Sequence, residues 1–150
     1  MNSQLMQRTL HLSSADVPWV PLTDSTEIRV VHGRVSESFV VSQFRAAPGA
    51  TTKLHRHCAP VFGFTTLGNW GHDTRHLYRP GTYIYETPMV VHRFLNGPEV
   101  TEVYFVNHGD IETFDDRGRE VVSRSTVADA IARYFAACES MGLPRPNVLE

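Results

Sequence analysis

The sequence predicts a single all-β domain, a sandwich or barrel of short strands with one C-terminal helix. Three observations carry this. The chain has 150 residues, which suits one core of ordinary size. Short runs rich in Val, Ile, Phe and Tyr recur at roughly eight-to-twelve-residue intervals, separated by Gly, Pro, Asn and Asp, the pattern of sheet-only folds. Only one stretch, near the C-terminus, spaces its apolar residues as a helix does.

Residues 1–27 read as a polar, irregular arm interrupted by Val17-Pro18-Trp19-Val20-Pro21-Leu22. Its two prolines exclude a helix interior and predict an extended segment lying on the core. Strand-like runs then cover Ile28–Val35 and Ser38–Ala46, with Gly33 interrupting the first and Pro48-Gly49-Ala50 turning the chain after the second. Further runs are predicted at Ala59–Thr66, Trp70–His72, Leu77–Arg79, Thr82–Glu86, Val90–Phe94, Thr101–Asn107, Ile111–Phe114 and Glu120–Val122. The barrel thus occupies about residues 28–123 of a single domain spanning 1–150. In the helix, about 126–141, Val127, Ile131, Tyr134, Phe135, Cys138 and Met141 form one stripe. Ser125 or Thr126 caps its start, Asp129 sits in the first turn, and Gly142 with Pro144 ends it.

Composition narrows the function. Hydrophobic residues make up 41% and charged residues 20% of the chain, near globular averages. The formal net charge of −2 lacks the basic excess that draws proteins to nucleic acid or anionic lipid, so neither is an expected partner. No apolar run approaches the ~20 residues of a membrane span, and residues 1–12 lack the basic-then-apolar order of a signal peptide. The expectation is a cytoplasmic protein in which Cys58 and Cys138 are reduced thiols.

The chemistry concentrates in Gly49-Ala-Thr-Thr-Lys-Leu-His55-Arg-His57. On a strand, residues two apart face the same side, so both imidazoles can reach one ion while Cys58 points away. Neutral imidazole suits iron, zinc, copper or nickel. Downstream, Gly81-Thr-Tyr-Ile-Tyr-Glu-Thr-Pro88-Met-Val-Val-His92-Arg-Phe-Leu-Asn96 supplies a third histidine in a matching frame.

This pair of segments resembles the two signature motifs of the cupin superfamily. Gly49, His55, His57 and Gly68 fall on the first, and Gly81, His92 and Asn96 on the second. The likeness covers roughly residues 45–107 and implies a cupin double-stranded β-helix, a jelly-roll barrel with the C-terminal α-helix packed outside it. It also implies one divalent metal ion held by His55, His57 and His92. Two positions depart from the motifs. Val61 stands where a glutamate usually supplies a fourth ligand, and Thr87 and Met89 replace a proline and a glycine. The expected site therefore has three histidines and no carboxylate, with coordination positions left open.

Within cupins the stretches Leu54–Trp70 and Tyr83–Pro88 are similar to the 2,4'-dihydroxyacetophenone dioxygenase group, and more distantly to acetylacetone-cleaving dioxygenases. That likeness implies an Fe(II)-dependent, C–C bond-cleaving dioxygenase acting on a small ketone or diketone, with dioxygen as co-substrate; zinc, nickel, manganese or copper are the alternative ions. A metal-dependent isomerase, lyase or hydrolase and a non-enzymatic zinc-binding sensor are the competing readings, because this architecture hosts many chemistries.

Glu86, six residues before His92, is read by strand parity either as an inward partner or acid/base of the site or as an outward strand residue. Of His72, His76 and His108, His72 is the best further candidate because it shares a strand face with Trp70. The aromatics Phe62, Phe64, Tyr83, Tyr85, Phe94, Tyr104 and Phe105 are expected to divide between core and an apolar substrate pocket. A homodimer or homotetramer is expected, with Ile28, Val30 and Val31 of the first strand as apolar candidates for the contact.

Overall fold

The computed structural model describes residues 9–148, so the first eight residues of the expected arm lie outside the described part. Eleven strands are followed by one α-helix. They are β1 (Val20–Thr23), β2 (Thr26–Arg34), β3 (Phe39–Ala46), β4 (His55–His57), β5 (Val61–Leu67), β6 (Trp70–Gly71), β7 (Tyr83–Glu86), β8 (Leu95–Asn96), β9 (Thr101–His108), β10 (Ile111–Phe114), β11 (Val121–Ser125) and α1 (Val127–Ser140).

A six-stranded antiparallel sheet runs β1-β2-β3-β9-β5-β7. Facing it, β11-β10-β4 and β6-β8 are joined into a second layer by bridges Thr51↔Leu95 and His55↔His92. The large sheet's inward row follows from register. Phe44 pairs with Val103, Thr65 with Val103, Gly63 with Ile84, and Val61 with Glu86. Phe44, Ala46, Ala50, Trp70, Ile84, Phe94 and Val103 fill the space between the layers.

The strand region is wider than expected, because part of the arm is strand. Val20–Thr23 pairs with β2 as an edge strand, where a proline lacking an N–H is tolerated; the register breaks between Pro21 and Thr23. Conversely, Leu77–Arg79 and Val90–Phe94, expected as strands, contribute only the bridges Trp70↔Tyr78 and His55↔His92. The second run is a turn in which Met89 has φ 68°, so its β-branched residues Val90 and Val91 lie exposed in a loop.

The helix begins with a capping box, Thr126 Oγ1 accepting from Asp129 N–H and Asp129 accepting from Thr126 N–H, an arrangement that stabilises a helix start by about 1 kcal/mol. Val127, Ile131, Tyr134 and Cys138 are buried against Val17, Val20, Val30 and Val40. Met141, expected in that stripe, is 50% exposed because it is the C-cap, where the helical register ends. Val30 pairs with Ser42, two residues from Phe44 on the same face, so α1 covers the inward side of the overhanging β1-β2 edge. It does not cap the sheet's outer surface. Within one chain, this placement engages the apolar residues expected at a dimer contact. β2 is flanked on both edges by β1 and β3, Val30 is 1% exposed, and Ile28 and Val31 pack on the α1 cluster.

The Val17–Leu22 segment does lie on the core through Val17 and Val20. Its Trp19 instead spans the outer face, with the Arg45 and Arg29 guanidinium carbons 3.9 and 4.4 Å from the ring centroid. Cys58 and Cys138 are both free thiols. Among the described residues, no helix is long and apolar enough to cross a membrane.

Candidate metal centre

β4 is three residues long and is fixed from both sides. On one edge His55, Arg56 and His57 pair with Thr113, Glu112 and Ile111. On the other, His55 and His92 exchange both backbone hydrogen bonds at 2.9 Å each. Two of the three histidines are therefore direct cross-strand neighbours. Alternation sends Arg56 the opposite way, where its Nε donates to Glu112 Oε2 at 2.5 Å.

The ring centroids of His55, His57 and His92 lie 4.9–5.7 Å apart, and one nitrogen from each falls within 4.8 Å of the others. His55 Nδ1–H donates to the Lys53 carbonyl at 2.8 Å, which leaves Nε2 as the lone-pair nitrogen. Burial holds His57 and His92 down to about 4 and lowers His55 as well, so all three imidazoles are neutral near pH 7. A metal ligand must be neutral imidazole, and these are.

Glu86, which the sequence left open as an inward or an outward residue, faces inward. Because Glu86 pairs with Val61, it occupies the inward position next to the one that a motif glutamate would fill, and only 6% of it is exposed. Its Oε2 lies 3.2 Å from His57 Nε2 and 3.5 Å from His92 Nε2. Its Oε1 accepts from His72 Nε2–H at 3.2 Å, and Tyr78 Oη lies 3.4 Å from His72 Nδ1. Burial alone would raise the Glu86 carboxyl, but the His72 hydrogen bond and the nearby imidazoles outweigh it and hold it below its ordinary value. Neutral imidazoles beside an ionised carboxylate form a donor set for a divalent cation. His55-His57-His92 and His72-Glu86-His92 are both groups that could hold one. Glu86 Oε2, His92 Nε2 and His57 Nδ1 are buried without hydrogen-bond partners, a costly state for polar atoms that an ion would relieve for those facing it.

Of the remaining histidines, His72 stacks on His92 at 4.2 Å and 9°, whereas His76 closes a turn through Asp73 and His108 packs against Phe39 and Phe62. Neither of these two joins the cluster. Trp70, 1% exposed, stacks on Phe94 at 4.4 Å and meets His72 edge-on, giving the site an apolar floor. Phe94 and Phe105 face this interior. Phe64, Tyr83 and Tyr85 are exposed on the outer sheet face, so the pocket reading does not hold for them. Asn96, a motif position, clamps backbone: its Nδ2 reaches the carbonyls of Ala46, Ala47 and Glu99. Tyr78 was not singled out from sequence. Its six-residue spacing from His72 carries no periodic signal.

The sequence matches the family of ChrR cupin-like domains over residues 7–112. No curated protein sequence matches the chain. Among solved structures, a Ralstonia eutropha JMP134 protein of unknown function with a cupin-like fold aligns with TM-score 0.84 and 22% identity, over 96% of this chain and 93% of that one. An acetylacetone dioxygenase from Acinetobacter johnsonii aligns with TM-score 0.72 and 20% identity, over 91% and 97%. The Rhodobacter sphaeroides complex of SigE with the anti-sigma ChrR aligns with TM-score 0.53 and 12% identity, over 62% of this chain and 49% of that one. These likenesses establish the jelly-roll fold.

Proposed function

This chain belongs to the family of ChrR cupin-like domains, and from that premise we propose that it is an Fe(II)-dependent dioxygenase. It would cleave a C–C bond of a small ketone or diketone, with the ion held by His55, His57 and His92. The observation that carries the reading is the convergence of three neutral imidazoles, with His57 Nδ1 and His92 Nε2 buried without a hydrogen-bond partner. The similarity in fold to an acetylacetone dioxygenase supports the substrate class.

Bound iron(II) supplies the redox chemistry with dioxygen that side chains lack. The chain's own residues do the rest. The Lys53 carbonyl fixes the His55 tautomer, and Trp70 and Phe94 exclude water from beneath the cluster. Met89, Val90 and Val91, each at least 40% exposed, form an apolar loop next to His92. The Met89 N–H ties that loop to the His57 carbonyl at 2.8 Å. Exposed apolar surface beside a polar site suits an organic ligand.

A zinc-binding sensor is the second reading, favoured by the carboxylate beside the three histidines, since four protein donors can close a tetrahedral zinc shell. One experiment separates them. Anaerobic protein loaded with iron(II) is mixed with acetylacetone or a hydroxyacetophenone and then given air. The proposal expects one dioxygen consumed per substrate and two carbonyl-containing fragments, while the zinc form binds the same compounds without oxygen uptake. Turnover by both forms without oxygen uptake would replace it with an isomerase or hydrolase; no turnover by either, with tight zinc binding, would favour the sensor.

A further inference from the structure

Two donor atoms each about 2.1 Å from one ion, roughly 90–110° apart, are separated by about 3.0–3.4 Å. Glu86 Oε2 stands at 3.2 Å from His57 Nε2 and 3.5 Å from His92 Nε2. It nonetheless makes no hydrogen bond to either and is among the buried atoms without a partner. The other carboxylate oxygen is occupied. His72 Nε2–H holds Oε1, and His72 is itself placed by Tyr78 and by stacking on His92.

From this geometry we infer that Glu86 is a direct ligand of the ion, its carboxylate having moved one strand across from the position that Val61 occupies. Val61 and Glu86 are paired residues on the same inward face. Cross-strand pairs bring Cβ atoms within about 4.5–5.5 Å, so a glutamate side chain from either position reaches the same space. Val61, 0% exposed, fills with hydrocarbon the room a motif glutamate would take. His72 is a positioning residue. It turns Oε1 away from the ion and leaves Oε2 facing the imidazoles.

The inference rests on the metal-centred reading above, and the test keeps the two apart. Affinity for Zn(II) and Co(II), and the visible spectrum of the Co(II) form, are measured for wild type, Glu86→Gln, Glu86→Val, His72→Ala and the exchange Val61→Glu/Glu86→Val, with circular dichroism confirming each fold. Losing the partner of a ligand typically costs ~10–100-fold in affinity. His72→Ala should lose affinity within that range, and Glu86→Gln should lose more than His72→Ala and alter the Co(II) spectrum. The exchange variant should bind more tightly than Glu86→Val alone. Glu86→Gln binding at least as well as His72→Ala, with an unchanged Co(II) spectrum, would overturn direct ligation while leaving a three-histidine centre standing. An exchange variant that folds but recovers nothing would overturn the relocation. A wild type that binds neither ion would instead remove the metal reading itself, and this inference with it.

Discussion

At the scale of single residues, the histidines differ by geometry more than by exposure. His55, His57 and His92 converge, His72 meets them by stacking on His92 and by its hydrogen bond to Glu86, and His76 and His108 lie elsewhere. Replacing any of the first three by Ala should nearly abolish metal occupancy, as read by elemental analysis after desalting, whereas His76→Ala and His108→Ala should keep it. A His92→Ala protein retaining full metal would remove His92 from the set. The triad was legible because two residues apart on a strand is a local relation, and the third histidine came with its own glycine frame. The Glu86 placement was not. Whether it faces inward depends on the β5–β7 register, which pairs residues 61 and 86, and no local pattern encodes that pairing.

At the scale of elements, the turns decide how the strands reach the site. Gly68 has φ 75°, and a Cβ there would stand 2.2 Å from Thr101 Oγ1 and 2.4 Å from the Val100 carbonyl. Gly81 has φ 88° but open space around it. Gly68→Ala should therefore cost about 3 kcal/mol or more, combining backbone strain with a clash against β9, while Gly81→Ala should cost only about 1 kcal/mol. Denaturant melts of the two variants check this, and equal losses would show that the close approach at Gly68 is unimportant. Both glycines were visible as motif positions, but the difference between them lies in which strand passes behind each. The misread elements share a cause. Val90 and Val91 look like strand residues by propensity, yet Pro88 and the left-handed Met89 make a loop, and Val20–Thr23 becomes a strand only because β2 lies beside it.

At the scale of the whole molecule, folding lowers the proton affinity of the site. In the folded chain His57 and His92 stay neutral down to about 4, whereas unfolded histidines take up protons below about 6.5. Between those values the unfolded state binds more protons, so stability falls as pH falls. Glu86 acts in the same direction further into acid, since its folded carboxyl lies below its ordinary value. Thermal melts of chelator-treated protein should thus decline from about pH 6.5 to about pH 4, and His57→Gln/His92→Gln should flatten that decline; parallel curves would contradict the assignment. The all-β architecture and capped helix were legible from alternation and spacing. The covering of Ile28, Val30 and Val31 was not, because only the assembled fold brings α1 onto β2. The central proposal is that His55, His57 and His92, a group that could hold a metal ion, bind a transition metal. The most direct test is elemental analysis of protein purified without added metal, run beside the His55→Ala/His57→Ala/His92→Ala variant. The account predicts close to one equivalent of a single transition metal, iron foremost, in the wild type and none in the variant; equal metal in both, or none in the wild type even after incubation with iron(II) or zinc, would contradict it.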